Sequence, residues 1–134
     1  MAKNTASSSL RVISTPNAPQ PLGPYSQGIV YGKTLYVSGQ LPIDPKTGEK
    51  RLGTIEEQAR QTLENIKAIV VAAGSDLTRV TKVTVYISDL SLGGRFNAVY
   101  AEFFGDHRPA RAVVPSKELH FGFLLEIDAV AACD

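Results

Sequence analysis

One cysteine, two histidines and no surplus of either charge close off several chemistries to this 134-residue chain. Cys133 is next to last. It has no partner for an internal disulfide and no second thiol at zinc-ligand spacing. Such usage fits a reducing compartment, and a cytoplasmic location is expected. His107 and His120 are too few for a histidine-built metal site. Lys plus Arg number 14 and Asp plus Glu 13, a net charge of +1. That balance leaves no electrostatic footprint for nucleic acid. No apolar run reaches the roughly 20 residues that span a bilayer, so no membrane partner is expected.

What remains is the composition of a soluble globular protein, 43% hydrophobic and 20% charged. The length suits one domain with a real core. Residues 1–9 are small and polar, a composition that a short transit peptide shares, and are expected to form a flexible tail. Residues 10–134 are expected to form the single domain.

Leu10 to Ser14 reads as a first strand. Four prolines and a glycine between Pro16 and Tyr25 exclude helix and interior strand, so a stiff loop presents Tyr25 at its end. Ser26 to Tyr31 and Thr34 to Ser38 flank Gly32-Lys33 as a hairpin with a two-residue turn. Thr54-Ile55-Glu56-Glu57 is a capping box. It opens a helix to about Ala73 whose stripe is Ile55, Ala59, Leu63, Ile66 and Val70, with Gly74 as its stop. Val80 to Ile87 alternates as a strand. Ser88 and Asp89 are candidate caps for a second helix carrying Phe96, Val99, Tyr100, Phe103 and Phe104; Gly93-Gly94 should delay its start. Ala110 to Val114 and Leu124 to Ala132 are the last strands. About six strands and two helices make an α+β layer with both helices on one sheet face.

Two strands carry ionisable residues among apolar ones: Arg111 in the first and Glu126 in the second. Read as buried, such groups are costly unless paired or used. One reading is a structural ion pair. The other is a small-acid site, with Arg111 gripping a carboxylate and Glu126 handling a proton or a water. In the last strand Leu125, Ile127, Ala129 and Ala131 suit the helix side, which sends Glu126 and Asp128 to the open face. Ala110, Ala112 and Val114 are assigned to the helix side, leaving Arg111 and Val113 for the open face. Tyr36, Ser38, Thr84 and Tyr86 join them there. A face this mixed fits a subunit interface holding a polar pocket.

At this point the chain resembles the Rid family, the reactive intermediate deaminases that hydrolyse enamines and imines. The resemblance runs from Asn17 to Ala131. It rests on Gly23-Pro24-Tyr25-x-Gln27-Gly28, Ser38-Gly39-Gln40-x-Pro42 and Pro45-Lys46-Thr47-Gly48-Glu49, then on Gln58-Ala59-Arg60-Gln61 with Asn65. Asn97, Tyr100, Pro109-Ala110-Arg111 and Glu126-Ile127-x-Ala129 complete it. It implies a chorismate-mutase-like fold, no cofactor, and a homotrimer with a site at each subunit interface. It implies a small 2-imino acid as substrate, of the 2-aminoacrylate type, hydrolysed to a 2-oxo acid and ammonia. Arg111 would bind the carboxylate and Glu126 would position water or shuttle a proton. Tyr25, Ser38, Gly39 and Val113 would line the site, Tyr25 and Ser38 from the neighbouring subunit. Val113 stands where many members have cysteine. His120 stands in a loop that usually holds a Leu-Pro pair, and Phe121 and Phe123 follow it; they either shape the pocket or pack under the loop. A carboxylate-binding regulatory trimer and an RNA-directed translation inhibitor are the competing functions. A chorismate mutase would share the architecture by fold analogy alone.

Overall fold

A computed structural model describes residues 10–134; the tail expected over residues 1–9 lies outside them. The elements run β1 (Leu10–Ile13), β2 (Gly28–Tyr31), β3 (Thr34–Gln40), α1 (Ile55–Ala72), β4 (Val80–Ile87), α2 (Gly93–Phe104), β5 (Ala110–Pro115) and β6 (Leu125–Ala132). The strands form one sheet in the order β1-β2-β3-β6-β4-β5. Among the described residues only the β4–β5 strand pair is parallel; the other four strand pairs are antiparallel. The architecture is the expected mixed six-stranded α+β layer.

Local chemistry sets the element ends. Thr54 caps α1, its Oγ1 accepting from the Glu57 amide at 3.2 Å. The return contact differs from a full capping box, because the Glu57 carboxylate accepts from the Thr54 hydroxyl. Gly74 ends the helix region with φ +85, a left-handed conformation that suits glycine. Gly93 and Gly94 do not delay α2: a 3-10 turn over Leu90–Leu92, capped by Asp89, runs straight into it. β2 begins at Gly28, two residues later than the pattern suggests, because Gln27 is bonded to the preceding loop.

The core lies between the sheet and the two helices. Leu35, Val37, Val83, Val85, Ile127 and Ala129 of the sheet meet Leu63, Ile66 and Ile69 of α1 and Phe96 and Tyr100 of α2. Cys133 is 1% exposed and belongs to this core, so it offers no reactive thiol to the surface. β6 is central and alternates without a break, Leu125, Ile127, Ala129 and Ala131 inward and Glu126 and Asp128 on the open face.

β5 overturns one expectation. It is an edge strand, exposed over most of its length, rather than a buried one. Its parallel register pairs Arg111 with Val83 and Val113 with Val85. Paired residues of neighbouring strands share a face, and Val83 and Val85 are buried on the helix side. Arg111 and Val113 therefore lie on the helix side, and Ala112 and Val114 on the open face. The expected assignment is reversed.

Candidate active site

Glu126 lies in a cleft of about 460 Å³ on the open side of the sheet. Tyr25, Gly23 and Pro24 reach it from the proline-rich loop, and Ser38 and Gly39 from β3. Leu22, Leu41, His120 and Phe121 complete its walls. Burial raises the Glu126 carboxyl pKa above its ordinary value; nearby Asp128 adds to this and His120 opposes it. Asp128 is also raised, again chiefly by burial. A carboxyl shifted upward inside a cleft is a candidate for proton transfer.

The backbone around Glu126 is built to receive it. The β3–β6 register shifts between Val37 and Gln40, a bulge that brings Gly39 under the carboxylate. A Cβ on Gly39 would collide with Glu126 Oε2, so only glycine leaves room for the carboxylate there. Ser38 Oγ donates to the Ser26 carbonyl at 2.6 Å, leaving its lone pairs as acceptors. Tyr25 is half exposed, and its hydroxyl accepts from the Leu22 amide.

Three buried amide side chains hold the cleft walls. Gln27 accepts from the Thr15 amide at 2.7 Å and donates to the Pro19 carbonyl at 2.8 Å. The loop that presents Tyr25 is thereby fixed to β2. Asn65 of α1 donates to the Leu41 and Ile43 carbonyls. Gln58 accepts from the Leu124 amide at 2.8 Å, just before Glu126. All three are at most 2% exposed, and a buried polar group left without its partner costs about 1–3 kcal/mol. Their supporting role is not legible from their place in a motif; only the contacts reveal it.

The structure therefore brings Glu126, Tyr25, Ser38 and Gly39 together within one chain. Arg111 is elsewhere. Its Nη1 donates to Asn97 Oδ1 at 2.9 Å, and its guanidinium carbon sits 4.7 Å from the Tyr100 ring centroid. Both partners belong to α2, on the other side of the sheet from Glu126. Val113 is half-buried on that same side, packed on the core. Neither Arg111 nor Glu126 joins an ion pair among the described residues, so the two do not form the structural pair weighed above. A stacked, singly anchored guanidinium keeps further N–H donors for a ligand.

A larger hollow, about 530 Å³, lies along α1 between Thr15, Asp44, Lys46 and Lys67. There the hydrogen bond from the Lys46 amide, with Arg51 beside it, holds the Asp44 carboxyl below its ordinary value. The Glu126 cleft instead holds a carboxyl shifted upward. Among the described residues no cluster of three or more His, Cys, Asp or Glu could hold a metal ion, and no helix is long and apolar enough to cross a membrane.

Comparison with known proteins decides the lineage. A family model described as Endoribonuclease L-PSP matches residues 15–133. This chain belongs to the Rid family. A RutC family protein of Pyrococcus horikoshii is 54% identical over 90% of this chain and 95% of its own. A human protein named 2-iminobutanoate/2-iminopropanoate deaminase is 42% identical over 90% of this chain and 88% of its own. The crystal structure of E. coli TdcF with bound serine superposes with a TM-score of 0.88 at 42% identity, covering 92% of this chain and 99% of that one. The Rid fold expected from the motifs is thus the fold observed.

Proposed function

We propose that this Rid protein is an imine deaminase that hydrolyses 2-imino acids to 2-oxo acids and ammonia. The observation that carries the reading is the half-buried Glu126 carboxylate, its pKa raised by burial, seated over Gly39 in a cleft lined by Tyr25 and Ser38. The naming of the human relative as a deaminase supports it. An iminium carbon next to a carboxylate is already electrophilic. The site has to orient it, hold the carboxylate and manage protons. Glu126 takes a proton from water as the water oxygen bonds to the iminium carbon. The protonated Glu126 then gives that proton to the amine nitrogen. Glu126 takes the remaining hydroxyl proton as that oxygen's lone pair forms the C=O bond and the C–N bond breaks; ammonia leaves, carrying that proton as ammonium, and the 2-oxo acid remains.

We propose further that the carboxylate is held by Arg111 of a second copy. Within one chain Arg111 and Glu126 face opposite sides of the sheet, so a site using both needs two subunits. This revises the expectation that Tyr25 and Ser38 come from the neighbour: they stand with Glu126, and Arg111 is the visitor. A homotrimer that sets the β5 edge of one copy against the open face of the next supplies the contact. That face leaves Val12 62% and Tyr36 52% exposed, an apolar surface of the kind subunits cover. Val113 would lie beside Arg111 with its side chain toward the core, a packing role rather than a chemical one. The near-equal counts of 14 basic and 13 acidic residues give no support to an RNA-directed function.

The test is ammonia release from freshly generated 2-iminopropionate and 2-iminobutyrate. Acceleration by the protein, abolished in Glu126→Gln, is expected. A rate equal to that of buffer would refute the proposal.

A further inference from the structure

The motif pattern treats Phe121 and Phe123 alike, two residues apart in one loop. The structure separates them. Phe123 is 1% exposed, whereas Phe121 is half exposed and lines the Glu126 cleft. The backbone makes the division. Phe121 has φ 58 and ψ 14, and Gly122 follows with φ 77. Two successive left-handed residues reverse the chain between the rings. A bulky side chain in the left-handed region is a strained exception, and such exceptions gather at ligand sites.

The Phe121 ring is also held in place. It meets the Phe123 ring edge-on at 79°, with centroids 5.8 Å apart, and the His120 ring at 6.1 Å. Lys50 Nζ lies 4.7 Å from its centroid. A fixed aromatic surface offers a ligand contact area at little entropic cost. Leu22, Pro24 and Leu41 add apolar wall to the same cleft, while Glu126, Ser38 and Gly39 supply its polar groups.

We propose that Phe121 sets the side-chain specificity of this cleft and selects 2-imino acids with bulky apolar side chains, aromatic ones foremost. The inference rests on the deaminase reading and names the substrate class within it. The amino-group end of the substrate meets Glu126, and its side chain packs on the Phe121 ring.

Calorimetric binding of two 2-oxo acid products, phenylpyruvate and pyruvate, separates the two questions because it requires no turnover. The wild-type protein should bind phenylpyruvate about tenfold or more tightly than pyruvate, the discrimination that apolar pockets reach. Phe121→Ala should bring the two within about threefold by weakening phenylpyruvate, and Phe121→Tyr should retain the preference. Sedimentation should show Phe121→Ala with the wild-type subunit number. If both acids bind but the preference is absent or survives Phe121→Ala, Phe121 does not set specificity and the deaminase reading stands. If Phe121→Ala dissociates the assembly, the ring is an interface anchor and the proposal fails. If neither acid binds, the site reading beneath it fails as well.

Discussion

The Glu126 carboxylate occupies the space that a side chain on Gly39 would need: its Oε2 would collide with that Cβ, and its Cδ would stand 3.1 Å away. Gly39 is not held at positive φ, so alanine fits its backbone. The clash is with the far end of a flexible side chain. Gly39→Ala should therefore displace Glu126 with little harm to the fold. Misplacement of a reacting group by about 1 Å costs on the order of 10²-fold in rate. Imine turnover should fall by about that factor while the thermal midpoint moves only slightly. A variant that unfolds readily, or one that turns over normally, would contradict this placement of the carboxylate.

Glu126 and Asp128 give a pH signature. Burial raises both carboxyl groups, so the folded chain holds their protons to higher pH than the unfolded chain does. The stability they contribute is fully present below the unfolded value of about 4. It is lost as pH rises through the folded values. Glu126→Gln removes part of that loss and should raise the urea midpoint at pH 7 more than at pH 4. The acid limb of the activity profile should lie above the ordinary carboxylate range, since Glu126 must be ionised to accept water's proton. A midpoint shift of the opposite sign would show that the folded site favours the charged form.

Gln27 predicts a separable effect on the proline-rich loop. Gln27→Leu keeps the bulk but leaves the Thr15 amide and the Pro19 carbonyl without their partner. The cost should be about 1–3 kcal/mol for each group left buried and unsatisfied. Hydrogen exchange should quicken at the Thr15 amide, and turnover should drop because Tyr25 is no longer held. Unchanged exchange would mean that the loop is fixed by other contacts.

The two phenylalanines should respond differently to truncation. Phe123→Ala empties a buried site and should cost about 3–5 kcal/mol. Phe121→Gly removes a half-exposed ring but releases roughly 1–2 kcal/mol of left-handed strain. Its urea midpoint should stay close to that of the parent. Equal losses for both would place the Phe121 ring in the core.

Much of this molecule is legible in its residues. The Thr54 cap, the Ile55–Val70 stripe and Gly74 define α1, since local hydrogen bonds and burial act on the same segment. β6 reads correctly because a central strand buries one face completely, which fixes the phase of Glu126. β5 does not, for a physical reason. An edge strand buries little, and Ala110-Arg111-Ala112-Val113 carries apolar residues in both phases. Only its pairing with Val83 and Val85 sets the direction of Arg111. Phe121 escapes period-two reasoning because its left-handed backbone breaks the alternation. The scaffold role of Gln27, Gln58 and Asn65 is invisible until the loops they hold are in place.

Subunit complementation tests the two-copy site most directly. Arg111→Ala and Glu126→Gln are each expected to lose most activity, since the guanidinium fork and the proton carrier are separate requirements. The two variants, unfolded together and refolded as mixed assemblies, place an intact Arg111 from one chain beside an intact Glu126 from another. Random mixing in a symmetric ring should restore about a quarter of wild-type sites. Recovered imine turnover near that level, absent when either variant is refolded alone, is the predicted result. A mixture no more active than its two parents would contradict a site shared between copies.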